Sequence, residues 1–361
     1  MTNKSWSMQS DSTVQLSDLI SAWGAFDPET SLTKSIFAHD DAASPPPKVT
    51  FVVPVHNQEG RIAANLTSIT SNAAESHELV VILDGCRDGS QDAVMAWVMV
   101  EASRSLLSRV TVLASQSDLF ETICDSIGVA IAAGRYIVEV QADMHIEQKA
   151  FDSALVAALE TVPELALVSG RGAHSFAGMA PRGAAALISF AKRVFRRGYG
   201  IIHGLQREHS VLPGEWLLSD EIGRVGNFIE SPLAHRDEGV VYLHETVMRG
   251  PLAFEKSRFH DLGGLDVNSF FLGDDDHDLA LRAWGVFRWR AGHLPIQFSS
   301  PLEAGSTRVV RTEEDAKRFR ALSDHYGRAR QSSYLEVNLS LLPRPRPRRI
   351  RLRSTSTGRS E

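Results

Sequence analysis

The chain has 361 residues, 43% of them hydrophobic and 23% charged, and a formal net charge of −6. This is ordinary globular composition, with apolar material for a sizeable core, and the net acidity argues against general nucleic-acid binding. Cys86 and Cys124 stand in no CxxC pair or Cys/His ladder, which excludes a disulfide framework and a structural zinc and fits a reducing compartment. No apolar run reaches the ~20 residues a membrane helix needs, and the N-terminus lacks the apolar stretch of a signal peptide, so the expected location is cytoplasmic.

Residues 1–46 read as an extension. Leu16, Leu19, Ile20 and Trp23 fall at helical spacing and predict a short amphipathic helix, and residues 42–47, ending in three prolines, predict a linker. From residue 48 the pattern alternates. Strands are predicted over 49–55, 78–83, 109–113, 136–140 and 165–169. Helices are predicted over 62–69, 91–103, 123–133 and 150–159. Strands alternating with helices of this length predict a mostly parallel α/β sheet covered on both faces. A helix is predicted over 184–195, and the aperiodic stretch 198–239 suits active-site loops. Beyond it, strands are predicted over 287–289 and 294–298 and a polar helix over 313–326. The tail 343–361 carries seven arginines against one glutamate. Its Pro-Arg repeats predict an extended, disordered segment, whose cations suit peripheral contact with anionic lipid.

In open α/β sheets ligands bind outside the carboxyl ends of the strands, and three polar motifs follow predicted strands. They are Pro54-Val55-His56-Asn57-Gln58-Glu59-Gly60, Asp84-Gly85-Cys86-Arg87-Asp88-Gly89-Ser90 and Gln141-Ala142-Asp143-Met144-His145. Each could be an ordinary capped turn by itself; on one rim they make a polar cleft. The fourth feature is Gly273-Asp274-Asp275-Asp276-His277-Asp278, with four carboxylates in five residues ahead of a helix-like run. A helix N-terminus tolerates such a group. The group could be a cap, or it could supply an ionised carboxylate that takes a proton or binds a cation.

These residues, in this order, resemble a family 2 glycosyltransferase of the GT-A fold, within the nucleotide-diphospho-sugar transferase superfamily. That family opens with Pro-Val-Tyr-Asn-Glu-Glu after its first strand, matched by Pro54 to Glu59. It continues with Val-Asp-Asp-Gly-Ser-x-Asp-Gly-Thr, matched by Ile82 to Ser90, and an Asp-x-Asp triplet, matched by Gln141-Ala142-Asp143. A Gly-Pro segment and Leu-Gly-Gly-Leu-Asp before an acidic pair correspond to Gly250-Pro251, Leu262 to Asp266, and Asp275-Asp276. The resemblance covers about residues 48–308. Leu83 and Gln141 depart from it, each standing where the family has Asp.

The resemblance implies one GT-A domain over 47–308, preceded by the extension and linker of 1–46. A C-terminal helical segment, 309–342, and the basic disordered tail, 343–361, follow. It implies metal-dependent transfer of a sugar from a nucleotide-diphosphate donor to a hydroxyl of a glycan, lipid-linked or small-molecule acceptor, with inversion. Asp276, and next to it Asp275, are then the candidates for the catalytic base. Pro54, Val55, His56, Asn57, Glu59, Asp84, Gln141, Ala142 and Asp143 would line the nucleotide-sugar site. Asp143 would hold Mn²⁺ or Mg²⁺, with His145 as a second candidate ligand. Two alternatives stay open. One is a sugar nucleotidyltransferase, disfavoured by the single glycine after the first strand. The other is a non-catalytic nucleotide-sugar-binding protein, which Gln141 keeps in view.

Overall fold

The computed structural model of the chain describes residues 13–14, 33–40, 46–100, 107–116, 118–174, 239–300, 313–339, 341–346 and 348–352. Strands β1 (Thr33–Asp40), β2 (Val49–Val55), β3 (His77–Leu83), β4 (Leu107–Ser115), β5 (Tyr136–Glu139) and β6 (Leu165–Ser169) form the first half of the chain. Helices α1 (Ile62–Asn72), α2 (Ser90–Val100), α3 (Glu121–Ile131) and α4 (Phe151–Thr161) alternate with them. The second half supplies β7 (Val240–His244), β8 (Leu252–Glu255), β9 (Arg290–His293) and β10 (Arg348–Arg351). Its helices are α5 (Lys256–Asp261), α6 (Val267–Phe270), α7 (Asp275–Arg282), α8 (Glu313–Arg330) and α9 (Tyr334–Asn338).

The strands join one sheet in the order β1-β4-β3-β2-β5-β8-β6-β9-β7-β10, with Thr13–Val14 outside β1. β4, β3, β2 and β5 are mutually parallel. β8 inserts antiparallel between β5 and β6, and β9 returns parallel to β6. Successive side chains on a strand point to opposite faces, and the core divides accordingly. Phe51, Val53 and Val55 pack with α1, α2 and α4 on one face. Val52, Val80 and Ile82 pack with α3 and α6 on the other. The near-continuous apolar strands are thus explained by burial on both sides.

Several sequence expectations change. Residues 287–289 are not a strand: α7 runs on into a π-helical turn, Ala283–Phe287, and the strand starts at Arg290. Aromatic β-propensity loses there to packing against α9, where Gly285 sits so close that a Cβ would lie 2.2 Å from the Tyr334 hydroxyl. Of 294–298 only Phe298 is a strand residue, in Phe298–Ser299, which pairs with His145–Ile146. The tail is not disordered over 348–351. It is β10, antiparallel to β7, because an edge needs only backbone partners and Ile350 and Leu352 reach the core. β1, from within the extension, pairs antiparallel with β4. The helices expected over 16–23 and 184–195, and the stretch 198–238, lie outside the described residues.

From β2 the chain moves outward through β3 to β4 on one side, and from β5 it builds the other side. The topological switch point therefore falls between β2 and β5. It is at such a point, beyond the carboxyl ends, that a crevice for ligands opens.

Candidate active site

The first and second motifs meet at the ends of β2 and β3. Pro54 and Val55 finish β2, and Val55 is buried. His56 donates from Nδ1 to the Asp84 carbonyl at 2.6 Å, so its Nε2 is the acceptor for Asn57 Nδ2 at 3.1 Å. Asn57 has φ 51, a left-handed conformation that Asn tolerates, and its Oδ1 accepts the Arg87 N–H at 2.8 Å. The Glu59 N–H donates to Asp88 at 3.1 Å, and the Glu59 carboxylate accepts the Gly89 N–H at 3.2 Å. Asp84 is buried, and its carboxylate accepts the N–H groups of Leu119 and of Phe120, the latter at 3.0 Å. Burial pushes its pKa up to about 6, against the pull of those bonds. Asp84 therefore ties the β3 end to the loop entering α3.

The third motif follows β5, across the switch point. Gln141 is held from both sides: its Nε2 donates to Glu121 at 2.9 Å, and its Oε1 accepts from Arg171 at 2.7 Å. Asn65 donates to the Ala142 carbonyl at 2.6 Å, pinning the loop to α1. Asp143 is half-buried and accepts a long bond from Ser300 at 3.3 Å. Burial raises its pKa while the Arg171 charge opposes that rise. His145 is exposed on its two-residue strand and takes no part in the bonds joining Gln141, Glu121 and Arg171.

The four carboxylates of the acidic run have different surroundings. Asp274, the N-cap residue of α7, makes no capping bond and instead accepts from Tyr326 at 2.9 Å and from Arg330. Asp278 is fully buried and paired with Arg282 at 2.7 Å. Asp275 is paired with the buried Arg249, and burial pushes its pKa up to about 6 against that cation. Asp276 accepts the backbone N–H of Arg249 at 2.9 Å and that of His277 at 2.7 Å. The Asp276 side chain is 11% exposed, against 3% for Asp275, so Asp276 is the more open of the central pair.

Arg249 joins these parts. Its guanidinium pairs with Asp125 and Asp275, and lies 3.6 Å from Glu121 and 3.8 Å from Glu139. Its carbonyl accepts from Arg171 at 3.4 Å. The next residue, Gly250, has φ +80 and packs so tightly that a Cβ would lie 2.8 Å from Met144 Sδ and 3.1 Å from Gln141 Oε1. Third motif, Gly-Pro segment and acidic helix thus form one continuous contact network.

Arg249, Arg171, Glu121, Asp125 and Glu139 were not singled out in the sequence. Glu139 carried a legible signal, a carboxylate inside the apolar strand Tyr-Ile-Val-Glu, and Asp125 one like it on the apolar face of α3. Isolated arginines in stretches without a period carry none.

Among the described residues no three His, Cys, Asp or Glu side chains converge as a metal cage. The donor set fits a hard cation in another way: Asp143 offers carboxylate oxygens at the rim. Mg²⁺-like ions commonly bind through one or two carboxylates plus substrate phosphates. Gln141 Oε1 is already taken by Arg171.

No family model matches the chain, and no curated protein matches it. Similar solved structures include the mannosyltransferase PcManGT from Pyrobaculum calidifontis in complex with GDP-Man and Mn²⁺. It is 16% identical with a TM-score of 0.44, over 81% of this chain and 68% of that one. TarS from S. aureus in complex with UDP-GlcNAc is 13% identical with a TM-score of 0.41, over 81% and 69%. GalNAc-T7 with UDP, GalNAc and Mn²⁺ is 13% identical with a TM-score of 0.47, over 86% of this chain; the match spans only 60% of that longer protein. The α/β class assigned above rests on the strand order of the chain itself.

Proposed function

We propose that the protein is a glycosyltransferase of the GT-A type, moving a sugar from a nucleotide-diphosphate donor to an acceptor hydroxyl with inversion at the anomeric carbon. The observation that carries this reading is the meeting, beside the switch point, of the Asp143 loop and the Asp276 helix through Arg249. The chemistry needs those two parts close together: one where the diphosphate leaves, one where the hydroxyl attacks.

In this reading the 54–59 and 84–90 loops wall the nucleotide pocket, and Asp84 holds the Leu119–Phe120 backbone as part of that wall. Asp143 faces the diphosphate. A divalent cation bound there with the donor phosphates would offset the negative charge that grows on the leaving group. Asp276 accepts the proton of the attacking hydroxyl. The backbone N–H groups of Arg249 and His277 orient its carboxylate, and a base must be oriented toward the proton it takes. Asp275 and Arg249 hold that carboxylate in position. Glycan, lipid-linked and small-molecule hydroxyls remain the acceptor classes.

Because one carboxylate is a poor cage, cation and nucleotide should bind together. Calorimetry should find Mn²⁺ weak alone and much tighter with a nucleoside diphosphate present. Asp143→Ala should abolish that coupling and leave the thermal transition in place, since a half-buried rim side chain contributes little packing. Unchanged coupling in Asp143→Ala would remove Asp143 from the cation site. Absence of nucleotide binding in the wild type would count against the whole reading.

A further inference from the structure

The end of the strands opposite the candidate site carries a second surface. The site lies past the carboxyl ends of β5 and β6. At the amino ends of β6 and β9, Val286 is 59% exposed, Phe287 39%, Val337 53% and Leu341 74%. They belong to one structural unit. Trp284 Nε1 donates to the Pro343 carbonyl at 2.6 Å, and a Cβ on Gly285 would lie 2.9 Å from Leu342 Cδ1. Arg290 donates to the Arg346 carbonyl at 2.8 Å. Phe287 stacks on Trp289 with ring centroids 4.3 Å apart. The π-helical turn, α9 and the Leu341–Arg346 strap are therefore held against one another, and each carries at least one of these exposed apolar side chains.

Cations surround this apolar tip. Arg288 lies over the Trp284 ring at 5.2 Å, and Arg346 is exposed on the strap. Arg349 and Arg351 continue the strip along β10. None of these four pairs with a carboxylate among the described residues, whereas Arg344 pairs with Glu245 and Arg348 with Glu164, at 2.7 and 2.8 Å. An exposed apolar patch marks an interaction surface. These residues lie on the π-helical turn, α9 and the strap, with exposed arginines beside them in the sequence. That combination suits a bilayer with anionic headgroups: apolar tips enter the interface and arginines meet phosphate. Among the described residues no helix is long and apolar enough to cross a membrane.

We propose that this end docks on an anionic lipid surface through Val286, Phe287 and Leu341, with Arg288 and Arg346 on the headgroups. The catalytic rim then faces away from the bilayer and stays open to donor. The inference is independent of the reaction proposed above.

The test is co-sedimentation of the full chain with phosphatidylcholine vesicles, with or without phosphatidylglycerol, over a salt series. The wild type should bind only the anionic vesicles, and less as salt rises. Arg288→Glu with Arg346→Glu should weaken binding about tenfold or more, from loss of two arginine contacts near the surface. Leu341→Ser, at the most exposed position, should weaken binding without a change in thermal stability; Val286→Ser should do the same. Wild-type binding that is absent, equal on neutral vesicles or unmoved by these substitutions would overturn the proposal. So would binding to soluble polyglutamate, without vesicles, tighter than binding to the anionic vesicles and equally weakened by Leu341→Ser, which would mark an acidic protein as the partner.

Discussion

Arg249 shows how much of the site rests on one side chain. Its guanidinium is shared among buried carboxylates, while its backbone N–H points at Asp276. One cation cannot neutralise Asp125, Glu139 and Asp275 together. Burial, against the Arg249 charge, pushes the Glu139 pKa up to about 8, so this group holds its proton at neutral pH. A carboxyl whose folded pKa is raised contributes stability that is complete below its unfolded value, near 4.5. That contribution is lost as pH rises through about 8. Glu139→Gln keeps the shape of the protonated form but cannot ionise. Its melting temperature should match the wild type near pH 5 and exceed it by a few degrees at pH 9. A parallel loss of stability with pH in both proteins would show that Glu139 is ionised throughout.

At the scale of elements, α3 is set by close packing. A Cβ on Gly128 would lie 2.3 Å from Val52 Cγ1 on β2, the central strand. Glycine lowers helix propensity by ~1 kcal/mol, so its place here is explained by the approach of helix to sheet. Gly128→Ala should destabilise the protein by roughly 1–3 kcal/mol through overpacking, read as a lower urea midpoint. It should also weaken nucleotide binding, because α3 carries Asp125 and Glu121 toward Arg249; an unchanged midpoint would mean that helix and strand separate without cost. The elements differ in how legible they were. β2, β3, β5 and β6 are short apolar runs ended by polar turns, a local signal, and so the three strand-end motifs were found in place. β1 and β10 have the sequences Thr-Lys-Ser-Ile-Phe-Ala-His-Asp and Arg-Arg-Ile-Arg, with no regular apolar alternation, and join the sheet by backbone pairing. β8 was hidden for another reason: its four residues follow Arg249-Gly250-Pro251, which reads as a loop. The division of labour within the acidic run was also unreadable, since Arg330 and Arg249 reach it from two distant parts of the chain and Arg282 from the next turn of the same helix.

For the whole molecule, the switch point between β2 and β5 brings together loops separated by some 25 to 220 residues of sequence, leaving the exposed apolar residues and their arginines at the opposite end of the strands. This arrangement asks for a ligand that touches the β2, β3 and β5 ends at once and a reacting group near α7. The proposed donor, a nucleotide-diphosphate sugar, with an incoming hydroxyl would offer a base, phosphates and a reacting centre to those parts. The most direct measurement is release of nucleoside diphosphate from a panel of sugar nucleotides with Mn²⁺ present. The wild type should release nucleoside diphosphate slowly with water as acceptor. At saturating donor, Asp276→Asn should slow release by ~10²–10⁴-fold with donor binding kept, the range for a lost general base, and Asp275→Asn should cost less. Pyrophosphate release from a nucleoside triphosphate in place of this, or release untouched by both substitutions, would contradict the account.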